Sequence, residues 1–175
     1  VNSINWARIM AQVAYYFAAG ASLGAPERAL TFAVPTGNFG NVYAGYGARR
    51  RGLPIKRLSV GSNRNDILTR YFQRGVMTTA KVVPTTSPSM DIQVSSNFER
   101  LLFEAWNRQS APLAAAMEGF RRAGSADFGR ERWRRIARLF AGFRLDDRGT
   151  TAAIRDIYRS CGEILDPHSA IAVAA

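Results

Sequence analysis

The densest chemistry in this sequence sits in Pro35-Thr36-Gly37-Asn38-Phe39-Gly40-Asn41, between the apolar run Leu30-Thr31-Phe32-Ala33-Val34 and the segment Val42-Tyr43-Ala44-Gly45-Tyr46. The pattern reads as strand, tight loop, helix. A nearly continuous apolar run suits a strand buried on both faces of a parallel sheet. Gly37 and Gly40 allow backbone angles that a Cβ would forbid. Free N–H groups at the start of the following helix, together with the positive end of its dipole, would cup an anion such as a phosphate without any lysine. An ordinary strand-to-helix turn has the same local pattern.

A second candidate pair is Asn5 and Arg8, three residues apart on a predicted helix and therefore on one side of it. A guanidinium there suits a carboxylate or a phosphate, which it can grip with two parallel bonds. A solvated helix end is the alternative. His168 is the only histidine, which excludes a multi-histidine metal site, and no Ser/His pair is suggested by spacing. A structural role at a helix start is expected for it. The only cysteine, Cys161, excludes an internal disulfide and a cysteine-rich zinc site, fits a reducing, cytoplasmic compartment, and is expected to be a small buried apolar residue.

The elements that must position these residues follow from periodicity. Residues 4–23 read as a long helix with apolar residues on two faces, Trp6, Met10, Val13 and Phe17 on one and Ala7, Ala11, Ala14 and Ala18 on another, so it is expected to be covered on most sides. No residue between Arg8 and Glu27 is charged, but Gln12, Gly20, Ser22 and Gly24 interrupt a run already short of the ~20 apolar residues a membrane span needs. Strands are expected at 30–34 and 55–60, with a helix at 41–51 between them. Such alternation argues for a parallel sheet with helices on both sides, and in such folds ligands bind beyond the carboxyl ends of the strands. Asn63-Arg64-Asn65-Asp66 lies just past the second strand and is expected to cap a helix from Ile67 to about Gly75. A short strand is expected within 76–83, a Ser/Thr/Pro-rich loop over 85–96, and helices at 97–108, 111–123, 129–140 and 150–161. Residues 125–129 and 146–149 read as turns, and Asp166-Pro167 as a helix start with Asp as the cap.

With 175 residues, 47% of them apolar, the chain can bury a core as one domain or a large part of one. Its net charge of +11 comes from 24 basic residues against 13 acids, and only Lys56 and Lys81 are lysines. Such a charge attracts polyanions. Much of it, however, lies in Arg49-Arg50-Arg51 and on one face of the helix beginning near Arg130, where Arg130, Arg134 and Arg138 oppose Trp133, Ile136, Ala137 and Phe140. That is a solvated amphipathic face, and nucleic-acid binding is not expected. The sequence sets no oligomeric state.

Val34 to Asn41 resembles the phosphate cup of threonine synthases, a branch of the fold-type-II enzymes that use pyridoxal 5'-phosphate (PLP). Three further stretches resemble the same family in the same order: Asn2-Ser3-Ile4-Asn5-Trp6-Ala7-Arg8, Asn63-Arg64-Asn65-Asp66-Ile67-Leu68, and Ser87-Pro88-Ser89-Met90-Asp91-Ile92-Gln93-Val94-Ser95-Ser96-Asn97-Phe98-Glu99-Arg100. Asp166-Pro167-His168-Ser169-Ala170 is a weaker fifth match, because the family often has Thr at Ser169 and Gly at Ala172.

The resemblance implies a three-layer αβα fold with a mostly parallel sheet, part of the fold-type-II architecture. It implies conversion of O-phospho-L-homoserine and water to L-threonine and phosphate. It assigns Gly37, Asn38, Phe39, Gly40 and Asn41 to the cofactor, and makes Asn5, Arg8, Ser87, Ser89 and Asp91 candidates for the substrate. The lysine that holds the cofactor as a Schiff base lies, in that family, upstream of the stretch resembling residues 2–8, and the group facing the pyridine nitrogen lies downstream of the last helix. Residues 1–175 are therefore expected to be a central and C-terminal part of such an enzyme, without turnover by themselves. Two other readings stay open: a non-catalytic module that binds a phosphorylated small molecule, and a sister fold-type-II enzyme such as threonine dehydratase or cysteine synthase.

Overall fold

The computed structural model describes residues 5–175, so the expected helical start at Ile4 and the stretch Asn2 to Ile4 lie outside the described residues. Helix α1 (Trp6–Ser22) starts at Asn5, whose Oδ1 accepts the Ala7 N–H at 2.9 Å. Strand β1 (Leu30–Pro35), helix α2 (Gly40–Arg50) and strand β2 (Ile55–Ser62) form the expected strand, helix, strand unit. The two strands pair in parallel with Val34 beside Val60 and Pro35 beside Gly61, so their carboxyl ends finish level. Helix α3 (Ile67–Arg74) follows and is closed by Gly75 in the left-handed region.

The remaining elements are β3 (Val76–Thr78), α4 (Phe98–Ala105), α5 (Ser110–Ala123), β4 (Ser125–Asp127), α6 (Arg130–Ala137), β5 (Phe140–Arg144), α7 (Asp147–Cys161) and α8 (Pro167–Val173). The main sheet runs β1-β2-β5, all parallel, and β3 pairs antiparallel with β4 as a separate ribbon. On one face of the sheet an aromatic core gathers Phe39, Phe72, Phe98 and Phe140, with Phe72 stacked on Phe140 at 5.7 Å and Phe98 edge-on to Phe39 at 5.2 Å. Helix α8 covers the opposite face, and Ile171 comes within 3.0 Å of the point where a Cβ on Gly61 would stand. Helices on both faces of a parallel sheet are what the alternating pattern predicts, and the three-layer α/β class holds.

Several local expectations are corrected. Strand β1 is an edge strand with Thr31 and Ala33 exposed, not one buried on both faces. Helix α1 is covered along one stripe only: Ile9, Tyr16 and Gly20 are buried, whereas Trp6, Met10 and Phe17 are exposed. It packs against α2, where Gly45 leaves room for the Tyr16 ring and the Tyr16 hydroxyl donates to the Asn41 carbonyl at 3.0 Å. Residues 140–144 form the third parallel strand, not the end of a helix, because pairing with β2 outweighs the helical spacing that carries on to Phe140. Residues 125–127, read as a turn, pair with β3. Cys161 is exposed at the end of α7. Arg130, Arg134 and Arg138 are exposed and Ile136 is buried, as the amphipathic pattern requires. Among the described residues no helix is long and apolar enough to cross a membrane.

Candidate functional site

The loop after β1 is folded by its own side chains. The Thr36 N–H carries the sheet ladder one step further, to the Gly61 carbonyl at 3.0 Å. The Thr36 Oγ1 then accepts the Phe39 N–H at 3.0 Å, and the Asn38 Oδ1 accepts the Gly40 N–H at 2.9 Å. These two bonds turn the chain through Phe39, which sits in the left-handed region at φ 66°. A bulky L-residue there is strained by roughly 1–2 kcal/mol, and complete burial of the ring in the aromatic core offsets this.

Gly37 and Gly40 do not use the left-handed freedom that glycine allows. Close packing explains them instead. A Cβ on Gly37 would stand 3.0 Å from the Met90 Cα and 3.1 Å from the Ile92 side chain, and one on Gly40 would stand 3.2 Å from the Asn38 Oδ1. The N–H groups of Gly37, Asn38 and Asn41 find no acceptor among the described residues. They lie where α2 begins, so unpaired donors and the positive end of a helix dipole coincide.

A cavity of about 250 Å³ opens on this loop. Pro35, Thr36, Gly37, Asn38, Gly40 and Asn41 line it from the loop, and Arg8, Gln12, Ser89, Met90 and His168 complete it. It therefore brings together four of the five residues assigned to the cofactor and two of the five assigned to the substrate. Phe39 is absent from the lining: its ring is in the core and its N–H is taken by Thr36. Asn5 is also absent, and its side chain caps α1 three residues from Arg8.

Ser87 and Asp91 lie behind the lining. The Asp91 Oδ1 accepts the Asn63 Nδ2 at 2.7 Å, the Asn65 Nδ2 at 2.9 Å and the Thr85 hydroxyl at 2.7 Å, while its Oδ2 accepts the Thr85 N–H. Ser87 is buried and its Oγ accepts from the Asn63 Nδ2 at 2.9 Å. This network ties the loop carrying Ser89 to the carboxyl end of β2. It also corrects the capping expectation for residues 63–66. Asn63 and Asn65 serve the network, and Asp66 makes no side-chain cap to α3 but accepts from the Arg70 Nε at 2.9 Å.

His168 and Gln12 are lining residues that sequence reasoning did not assign to the site. The Ser89 Oγ and the His168 Nε2 lie 2.7 Å apart, although 79 residues separate them in the chain. The His168 Nδ1 is 3.0 Å from the Asp166 Oδ1. Asp166 caps α8 as expected, accepting the His168 and Ser169 N–H groups. The Ser169 hydroxyl first, and then those two N–H groups, hold its carboxyl down at about 2.

No protein-family model matches the chain. It is 50% identical to the threonine synthase of Pseudomonas aeruginosa over all of its length and 37% of that protein's. A threonine synthase from Brucella melitensis, solved with PLP bound, superposes with a TM-score of 0.96 at 51% identity, covering 99% of this chain and 37% of that one. The yeast threonine synthase structure superposes at 0.91 with 37% identity, covering 98% of this chain and 37% of that one.

Proposed function

The chain belongs to the threonine synthase family and spans 37% of the length of the relatives it matches, and on that premise we propose that it forms part of a PLP-dependent enzyme converting O-phospho-L-homoserine and water to L-threonine and phosphate. In this reading the loop from Gly37 to Asn41 holds the phosphate of the cofactor, through the N–H groups of Gly37, Asn38 and Asn41. When bound, the cofactor supplies the electron sink that lets protons leave the carbons next to the substrate amine.

The observation that carries the reading is the set of unpaired N–H groups of Gly37, Asn38 and Asn41 at the start of α2, facing a cavity that Arg8 also lines. Three N–H donors and a helix N-terminus fit a phosphate. Arg8 adds a permanent cation for the substrate's own phosphate or carboxylate. Ser89 offers a hydroxyl, while Ser87 and Asp91 fix the loop that presents it. Asn5 acts through Arg8 by setting where α1 begins.

Neither lysine lines this cavity: Lys56 sits at the amino end of β2, away from it, and Lys81 is exposed in the segment after β3. We infer that this part of the enzyme seats the anions and that the cofactor-bearing amine comes from sequence beyond residues 1–175. A cytoplasmic setting accompanies the reading. The test is the release of threonine and inorganic phosphate from O-phospho-L-homoserine by the full-length natural protein with PLP. Both products in equal amounts support it; release of neither, from folded protein that binds PLP, overturns the assigned reaction.

A further inference from the structure

Ser89, His168 and Asp166 form a hydrogen-bonded chain that ends in the phosphate-cup cavity, with the Ser89 Oγ 2.7 Å from the His168 Nε2 and the His168 Nδ1 3.0 Å from the Asp166 Oδ1. Its proton arrangement follows from the acid at its far end. The Asp166 Oδ1 accepts the backbone N–H groups of His168 at 2.9 Å and Ser169 at 3.3 Å, and its Oδ2 accepts the Ser169 hydroxyl at 2.5 Å. Held ionised by these donors, the carboxylate can only accept, so the His168 Nδ1 must carry a hydrogen. In the neutral imidazole the Nε2 is then a lone pair, and the Ser89 hydroxyl donates to it. The lone pairs of the Ser89 Oγ are left for the cavity, which is the wrong polarity for an anion.

We infer that a dianion entering this cavity draws the Ser89 O–H away from His168 and onto itself, and that His168 takes up one proton from solvent as this happens. The proton balance is simple. The Ser89 O–H hydrogen keeps its covalent bond and changes acceptor, from Nε2 to an anion oxygen. The vacated Nε2 would face the Ser89 lone pairs, so it binds a solvent proton and donates the new N–H to the Ser89 Oγ. The Nδ1–H stays on Asp166. Imidazolium, its carboxylate partner and Arg8 across the cavity then surround the bound charge, and anion affinity rises as pH falls.

The charged groups on the neighbouring elements are compatible with this. Asp166 is the acid on the element of His168 itself, and Arg8 is the cation that α1 contributes to the cavity. Helix α7, packed on α8, carries Asp147, whose Oδ1 accepts from the Thr86 N–H and hydroxyl, as well as Arg148, Arg155, Asp156 and Arg159; Glu163 lies in the connection to α8. Strand β1 has no titratable side chain, and Lys56 and Arg57 of β2 lie at the amino end, away from the cavity. Asp91, on the loop of Ser89, is engaged by Asn63, Asn65 and Thr85.

This inference rests on the phosphate-cup reading, and calorimetry separates the two. Sulfate is the probe, because it is a dianion with no proton equilibrium of its own near neutrality. It is titrated into the full-length protein, free of PLP, at about pH 7 in two buffers of different ionisation enthalpy. The expected result is a buffer-dependent heat equivalent to as much as one proton taken up per sulfate, with affinity several-fold higher at about pH 6 than at about pH 8. His168→Gln is expected to bind sulfate with the same heat in both buffers. Ser89→Ala, at an exposed position that leaves the imidazole in place, is expected to lose the linkage too. Sulfate binding with equal heats in the wild-type protein, or a linkage that survives in both variants, overturns the inference and leaves the cup reading standing. Folded protein that binds neither sulfate nor PLP overturns both.

Discussion

The carbonyl oxygen of Asn38 accepts two hydrogen bonds from Asn97, one from its backbone N–H at 3.0 Å and one from its Nδ2 at 3.2 Å. Asn97 is fully buried at the start of α4, so this pair anchors the loop after β1 to a helix that is distant in sequence. Replacing Asn97 by Ala removes the Nδ2 donor from a part-buried carbonyl that keeps the backbone N–H, and is expected to cost about 0.5–1.5 kcal/mol, read as a lower midpoint in urea denaturation with an unchanged slope.

Phe39 combines a left-handed backbone with a fully buried ring. Phe39→Ala keeps the backbone strain and loses the ring from between Phe72, Phe98 and Phe140, so a destabilisation of about 3–5 kcal/mol is expected. Phe39→Leu should recover at least half of that loss. Equal melting of both variants and the parent would show that the ring is not what holds the loop down.

Asp91 gathers four donors from Asn63, Asn65 and Thr85. Asp91→Ala leaves the Thr85 N–H without an acceptor, while the Asn63 and Asn65 amides keep Ser87 and Val83, at an expected cost of about 1–3 kcal/mol. The loop over 85–91 should then exchange its amide hydrogens faster than helix α5 does. Uniform exchange in the variant and the parent would remove the network from its positioning role.

The Tyr71 hydroxyl is buried and has no hydrogen-bond partner among the described residues, and burial pushes its pKa up. Tyr71→Phe keeps the ring contacts with Phe72, Phe98 and Phe128 and removes an unsatisfied group. It is expected to be neutral or to stabilise by about 1 kcal/mol in thermal or chemical denaturation. A clear loss of stability would reveal a partner for the hydroxyl.

The carboxyl of Asp166 is lowered from 3.8 to about 2 by the Ser169 hydroxyl and the N–H groups it caps. A depressed carboxyl stabilises the folded state above its unfolded value and loses that contribution as pH falls through the folded one. The contribution of the α8 cap is therefore constant down to about pH 4 and fades towards pH 2. Asp166→Asn should flatten that limb of an acid denaturation curve.

The strand, loop and helix at 30–50 were legible because each signal is local: an apolar run, two glycines and a helical period. So was the Asp166 cap, which needs only its next three residues. Strand β5 was not, because Phe140 to Arg144 become a strand only through pairing with β2, some eighty residues earlier in the chain. At the site, Arg8 and the loop residues Gly37, Asn38, Gly40 and Asn41 came from local pattern, whereas the pairing of Ser89 with His168 depends on α8 folding back over the carboxyl ends of β1 and β2. The close packing at Gly37 could not be read from sequence: no local signal reports that Met90 and Ile92 pass over it.

The most direct test of the central claim is the affinity of the full-length natural protein for PLP, measured by titration in the parent and in Gly37→Val and Gly40→Val, with circular dichroism to confirm that each is folded. If the loop from Gly37 to Asn41 seats the cofactor phosphate, each variant should bind at least about tenfold more weakly, a loss of ~1.4 kcal/mol or more. Unchanged PLP affinity in both folded variants would contradict it and remove this loop from cofactor binding.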